Sequence, residues 1–290
     1  MIWDSAHAGA VAGVNKTGAS IYWNAPTRED DVEAQIALVD RVVSGNYQGL
    51  VLAPDQALSL ISPVLRALSH GIPTVIISSP LPIPAGGNLS YILNDDEEGG
   101  RLAAKRAAAL MNGHGTVAIL GINPDIAGIM IRARAFEQFM AQNEPGIRIV
   151  EKHMGTFNAA HEQQVAEDTL RANPNLDLIV ALVGSTIDGS VAALETTAGN
   201  RSVRIIGFDA FGGLSFHQGA GLDSVIQQDT RSMAEQAVEL IHARRMGQPV
   251  PSLVHIRPKL LTRENIDTAE VRQMTSSDWT LGHWAWSSAQ

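Results

Sequence analysis

Along most of this chain, short apolar runs alternate with longer segments whose apolar residues recur every three or four positions. The first kind of run fits a strand buried on both faces and the second a helix laid over a sheet, so the pattern predicts βα units feeding a parallel sheet. The first unit reads as a strand over residues 19–23 and a helix over 31–44, in which Val32, Ile36, Val39 and Val43 share one face and Gly45 is the C-cap. Further strands are predicted over 49–53, 74–78, 116–120, 147–151, 176–182, 203–207, 222–226 and 252–256. Helices over 57–70, 97–111, 129–142, 160–172, 186–197 and 232–246 separate most of them. That is too many units for one sheet of ordinary size. The strings GLVLAPD and GIPTVIIS near the front are echoed by LIVALVGS and VRIIGFD near the back. The fold class is therefore α/β, with two similar doubly wound parallel-sheet lobes.

Two segments fall outside this rhythm. Residues 79–87, rich in Pro and Gly, read as a loop. From about Ile266 the periodicity is lost, and the remainder carries Trp279, Trp284 and Trp286. Terminal aromatics need burial to stay ordered, so this tail reads as a packing strap rather than a site.

Composition narrows the function classes. At 290 residues, with 45% hydrophobic and 18% charged residues, the chain has the balance of a folded globular protein able to build two cores. A net charge of −9 with scattered Lys and Arg opposes binding of nucleic acid through this segment. No apolar run approaches the roughly 20 residues that span a bilayer, so membrane insertion is not expected. The N-terminus also lacks the basic-then-apolar pattern of a secretory signal. The absence of cysteine excludes disulfides and thiolate chemistry and leaves the compartment open.

Catalytic motifs are missing. His161-Glu162-Gln163-Gln164-Val165 lacks the second histidine of a zinc-hydrolase helix, and Gly184-Ser185 does not sit in a nucleophile elbow. No Walker-type phosphate loop occurs, and Gly219-Ala220-Gly221 lacks the third glycine of a dinucleotide fingerprint. Asp95-Asp96 and Glu97-Glu98 sit at a helix start, where carboxylates complement the dipole, and read as capping rather than catalysis. No enzyme activity, cofactor or metal is expected; a glycosidase would need two opposed carboxylates across a cleft, and only Asp209 is well placed.

A series of landmarks then falls in order: Gly9, residues 49–54, Gly71-Ile72-Pro73, Asn94-Asp95 before Gly99-Gly100, Arg132 before Phe136, Gly207-Phe208-Asp209, and Gly219 leading to Gln228. Together they resemble the periplasmic binding protein type I family, the ribose-binding-like sugar receptors homologous to lactose-repressor-like sensor domains. The resemblance covers residues 1 to about 263 and implies two lobes joined by crossovers near Asn94, Gln228 and Arg257. It divides the chain into 1–94 plus 229–257, 95–228 plus 258–265, and a Trp-containing tail over 266–290. Compared with the family the first strand is missing, and a signal peptide or a DNA-binding header is the segment that would distinguish the two main functional readings.

The resemblance implies a small sugar or polyol as ligand, an ABC permease as partner and the periplasm as location. The alternative is the effector-binding domain of a cytoplasmic transcription regulator. The family pattern assigns ligand contacts to Trp3 and Phe157 as aromatic plates, to Arg132 as a bidentate donor, to Asp209 as an acceptor and to Gln228 as a bridging amide. Asn158 is the alternative to Phe157, and Gln227 the rival of Gln228 by register. Ser78 stands where ribose-type receptors carry aspartate, Ser79 where they carry arginine, and Ala53 and Val183 where they carry asparagine. The resulting pocket is roomier and less polar than a ribose site, with Asn94 and Asp95 contributing from the hinge. Alanine at Asp209 or Arg132 is expected to abolish the ligand response without unfolding the protein.

Overall fold

The computed structural model describes residues 2–28, 31–197, 202–210 and 221–277. The chain opens on α1 (Ile2–Thr17) and continues through α2 (Val32–Ser44), β1 (Leu50–Leu52), α3 (Ile61–Ser69), β2 (Thr74–Ser78) and β3 (Leu89–Asn94). Next come α4 (Asp96–Met111), β4 (Gly115–Ile122), α5 (Ala127–Asn143), β5 (Ile147–Met154), α6 (Ala159–Ala172) and β6 (Leu178–Ala181). They are followed by α7 (Gly184–Thr196), β7 (Arg204–Phe208), β8 (Leu222–Gln227), α8 (Thr230–Arg245), β9 (Leu253–Ile256), β10 (Lys259–Thr262) and α9 (Ala269–Thr275).

The strands form two sheets. One has the order β1-β2-β3-β9 and is parallel throughout. The other has the order β10-β8-β7-β6-β4-β5, parallel except for β10, which runs antiparallel to β8. In β2, Ile76 faces the side covered by α2 and α3, while Val75 and Ile77 face Met233, Ala237 and Leu240 of α8. In β4, Val117 and Ile119 face α4 and α5, while Ala118 and Leu120 face α6 and α7. Both faces of each sheet are covered, so these strands read as unbroken apolar runs rather than alternating ones.

The chain passes between the sheets three times, after β3, after β8 and after β9. The passages lie side by side: Asp95 N–H donates to the Ile256 carbonyl at 2.9 Å, and Lys259 pairs with Gln227. Among the described residues no helix is long and apolar enough to cross a membrane.

Helix α1 lies tightly on α8. A Cβ built at Gly9 would stand 2.0 Å from the Arg231 carbonyl oxygen, and one at Gly13 would stand 2.9 Å from the Glu235 carbonyl oxygen. The missing side chains allow the two backbones to approach.

Three segments depart from the expected pattern. Residues 19–23 form no strand: Ile21 packs on the α1–α8 cluster, the Trp23 ring lies 4.6 Å from His7, and the Tyr22 ring 5.5 Å from Tyr47. Among the described residues this β-favouring run makes side-chain contacts and no ladder, because β propensity becomes a strand only beside a partner. The strand Leu89–Asn94 follows the Pro- and Gly-rich loop and runs into a helix start, so it carried no boundary of its own in the sequence. Within the tail, Ala269–Thr275 is helical, while Trp279, Trp284 and Trp286 lie outside the described residues. Val271 and Met274 of α9 are buried in the core of the six-stranded sheet. The other side of α9 reaches α1 and α8, where Ser5 Oγ donates to the Thr275 carbonyl at 3.0 Å and Arg231 to that of Ser276 at 3.3 Å.

His7 is buried on α1, and burial holds its pKa below the ordinary value against the opposing pull of Asp4. In acid the unfolded chain therefore takes up this proton first, so His7 makes stability fall as pH drops through about 6.5 and below. Wild-type protein should lose more melting temperature between pH 7.5 and pH 5 than His7→Gln does; parallel curves for the two would contradict this.

Candidate functional site

The carboxyl ends of the parallel strands converge where the two sheets meet, the place where open α/β folds present ligands. Two residues there hold left-handed backbone: Ser78, ending β2, at φ 69°, and Asp209, following β7, at φ 55°. Neither is glycine, and each such residue costs of order 1 kcal/mol that the surrounding fold must offset. The two sheets thus place corresponding strained residues at their facing ends.

Arg132 occupies the buried face of α5 with Gly128, Ile129, Ala133 and Phe136, and is only 4% exposed. Its guanidinium sits between two carboxylates. Nε donates to Asp96 Oδ1 at 3.0 Å with Nη2 at 2.8 Å from the same oxygen, while Nη1 donates to Asp209 Oδ2 at 2.7 Å and to the Leu182 carbonyl at 3.2 Å. The Phe208 ring lies beneath, 4.9 Å from the guanidinium carbon. Burial alone would discourage this charge, but the two carboxylates outweigh it and raise the pKa above the usual arginine value. At Asp96, burial pushes the pKa up against the opposing pulls of Arg132 and Asn94.

The network continues to both sides. Gln228 donates from its backbone N–H to Asp209 Oδ1 at 3.1 Å and from Nε2 to Oδ2 at 3.0 Å, while Ser78 Oγ donates to Gln228 Oε1 at 2.8 Å. At the other end Asn94 Nδ2 donates to Asp96 Oδ1 at 2.7 Å. Ser78 and Asn94 end neighbouring strands, Ser78 pairing with Leu93, so the hydrogen bonds close a ring from the four-stranded sheet through the hinge and back. Two further bonds link the lobes directly. Gly128 N–H donates to Ser79 Oγ at 3.0 Å, and Ala57 N–H to the Asp125 carbonyl at 3.0 Å.

Five of the expected residues, Ser78, Asn94, Arg132, Asp209 and Gln228, therefore meet in one network. Gln228 rather than Gln227 joins it, and Arg134 is exposed on the other side of α5. Trp3 and Phe157 stand apart from these bonds. Trp3, in the first turn of α1, is half-buried against the clusters shared with α8 and Ala53, and Phe157 is half-buried against the cluster that includes Leu182 and Phe208. The landmark Gly219 lies outside the described residues.

Two roles differ from expectation. Asp95 does not face the site, because its carboxylate caps α4 by accepting from Glu98 N–H at 2.9 Å. Arg132 is not an open bidentate donor, because its fork already serves Asp96, Asp209 and a carbonyl. Asp96 went unrecognised because it stands in a run of four acidic residues at a helix start. The available signal was its phase, since it shares the buried face of α4 with Gly99, Gly100, Ala103 and Ala107. Among the described residues no cluster of three or more His, Asp or Glu groups could hold a metal ion.

Residues 2–249 match the family model described as "Periplasmic binding protein domain". The chain is 24% identical over 245 residues to the D-allose-binding periplasmic protein of Escherichia coli, covering 81% of this chain and 78% of that protein. It is 25% identical over 254 residues to a xylitol-binding protein of Mycolicibacterium smegmatis, covering 86% and 70% respectively. A carbohydrate transporter solute-binding protein from Agrobacterium radiobacter, solved with D-arabinose, superposes with a TM-score of 0.86 at 23% identity, covering 95% of this chain and 94% of that one. The sheet order, the paired strand ends and the family match agree: this chain belongs to the periplasmic binding protein domain family.

Proposed function

We propose that the chain binds a small carbohydrate or polyol between its lobes as the substrate-binding component of an ABC-type sugar importer. It acts by binding and hinge closure, not by catalysis. The observation that carries this reading is the network linking Ser78 and Asn94 of the four-stranded sheet to Arg132 and Asp209 of the six-stranded one. Polar groups fixed this rigidly at converging strand ends suit a ligand that presents hydroxyls in several directions. The relatives are binding proteins for D-allose and xylitol, which supports the importer over a transcription regulator and implies the periplasm as the place of work. The lobes are taken as 1–94 with 229–257 and 95–228 with 258–265. Trp3 and Phe157 are taken as plates on opposite walls.

A ligand that contacts both lobes only when they are closed stabilises the closed form, and at about 100 times its dissociation constant it adds about 2.7 kcal/mol to stability. A thermal-shift panel of pentoses, hexoses, disaccharides and polyols is the direct test. At least one neutral member should raise the melting temperature in a saturable way; a panel without effect on folded protein would refute the reading. Asp209→Ala leaves Arg132 still paired with Asp96, so the variant should fold with a loss of about 1–3 kcal/mol and show no ligand-induced shift. An undiminished shift would remove Asp209 from the site.

A further inference from the structure

Resting on the sugar-binding reading, we propose that Asp96 determines ligand class. Its outer carboxylate oxygen and the amide oxygen of Asn94 form an acceptor-only pair that takes two hydroxyl donors and rejects acidic sugars. Asp96 is 4% exposed and Asn94 7% exposed. Oδ1 of Asp96 is fully engaged by Arg132 and by Asn94 Nδ2, whereas Oδ2 accepts no hydrogen bond from a described residue. The Asn94 amide is oriented by its carboxylate partner: Nδ2 must face Asp96, so Oδ1 is the remaining end, buried and without a partner. A buried acceptor left unpaired costs roughly 1–3 kcal/mol, and a donor supplied by a ligand recovers it.

Backbone geometry keeps this carboxylate free of a covering side chain. A Cβ built at Gly128 would stand 2.5 Å from Asp96 Oδ2 and 3.2 Å from its Cγ, with the Ser79 hydroxyl at 3.5 Å, so any side chain there would press on the carboxylate. Charge sets the sign of the selection. With both carboxylates ionised beside one guanidinium, the buried cluster carries one negative charge in surplus. A neutral polyol meets only acceptors that its hydroxyls satisfy. A carboxylate in the same position meets like charge where solvent screening is weak.

The test compares D-arabinose, D-allose and xylitol with arabinonate, allonate and xylonate by calorimetry, on wild-type protein, Asp96→Asn and Gly128→Ala. Wild type should bind at least one neutral compound and bind its carboxylate counterpart at least tenfold more weakly. Asp96→Asn should weaken the neutral ligand about tenfold and narrow the gap to its acid by at least tenfold, a change in ratio that a merely structural role would not produce. Gly128→Ala keeps the charge and covers the oxygen, so it should weaken the neutral ligand while preserving the gap; this variant also serves if Asp96→Asn fails to fold. An unchanged gap in folded Asp96→Asn, full affinity in Gly128→Ala, or equal binding of acid and neutral ligand by wild type would each overturn the assignment and leave the sugar-binding reading intact. Binding of none of the neutral compounds by wild type would overturn both.

Discussion

Arg132→Ala is expected to destabilise the protein by about 3–5 kcal/mol, enough in a chain of this size to lower its melting temperature by roughly 10 °C. The loss follows from what remains. Asp96 and Asp209, both less than a tenth exposed, would face each other without the cation that lies 2.8 and 2.7 Å from them. This differs from the expectation that alanine at Arg132 would abolish the ligand response without unfolding the protein. Denaturant unfolding of Arg132→Ala, of Asp96→Asn/Asp209→Asn and of the triple variant separates the causes. If buried charge is responsible, the triple variant should recover a large part of the loss, because no unpaired carboxylate remains. A loss below about 1 kcal/mol for Arg132→Ala would show that water reaches the carboxylates and that the cluster is not a buried one.

The second large effect concerns two glycines, and it should separate stability from binding. At Gly9 a side chain would collide with the α8 backbone at 2.0 Å, and at Gly100 with the Arg132 carbonyl oxygen at 2.3 Å. Neither neighbour is a flexible side-chain end, so whole helices must move, and valine at either position should cost about 3 kcal/mol or more. The consequences for ligand differ. Gly100 lets α4 approach α5 closely enough for Asp96 to reach Arg132, so Gly100→Val should also weaken the ligand at least tenfold. Gly9 seats α1 on α8, away from that ion pair, so Gly9→Val should leave the Asp96–Arg132 contact in place and weaken the ligand less than Gly100→Val does. Chemical unfolding and calorimetry on both variants decide the matter, and equal binding losses would show that binding does not depend on the α4–α5 contact in particular.

Much of this architecture was legible because both sheets are covered on both sides. T-V-I-I-S and L-I-V-A stand out as apolar runs, and the helices between them repeat every three or four residues. Legibility failed where a signal had two meanings. The run over 19–23 has β-favouring residues but no neighbour to complete a ladder, and L-S-Y-I-L-N, lying between the Pro- and Gly-rich loop and a helix start, is assigned to no element by the sequence. For the site, Arg132, Asp209, Gln228, Asn94 and Ser78 were found through family register rather than through their own chemistry. Asp96 has no such register residue to announce it, and acidic helix starts are ordinary. The left-handed backbone at Ser78 and Asp209 is likewise invisible in sequence, because serine and aspartate are common in relaxed turns.

The three side-by-side passages between the sheets have a mechanical consequence. A single linker would let one lobe swivel about the other, whereas three cords bonded edge to edge, with Asp95 tied to Ile256 and Lys259 to Gln227, resist torsion and yield mainly to bending. The ring from Ser78 to Asn94 sits on that bending axis. The charges proposed to meet the ligand therefore move little as the jaws part, and most of the stroke falls on the distant rims.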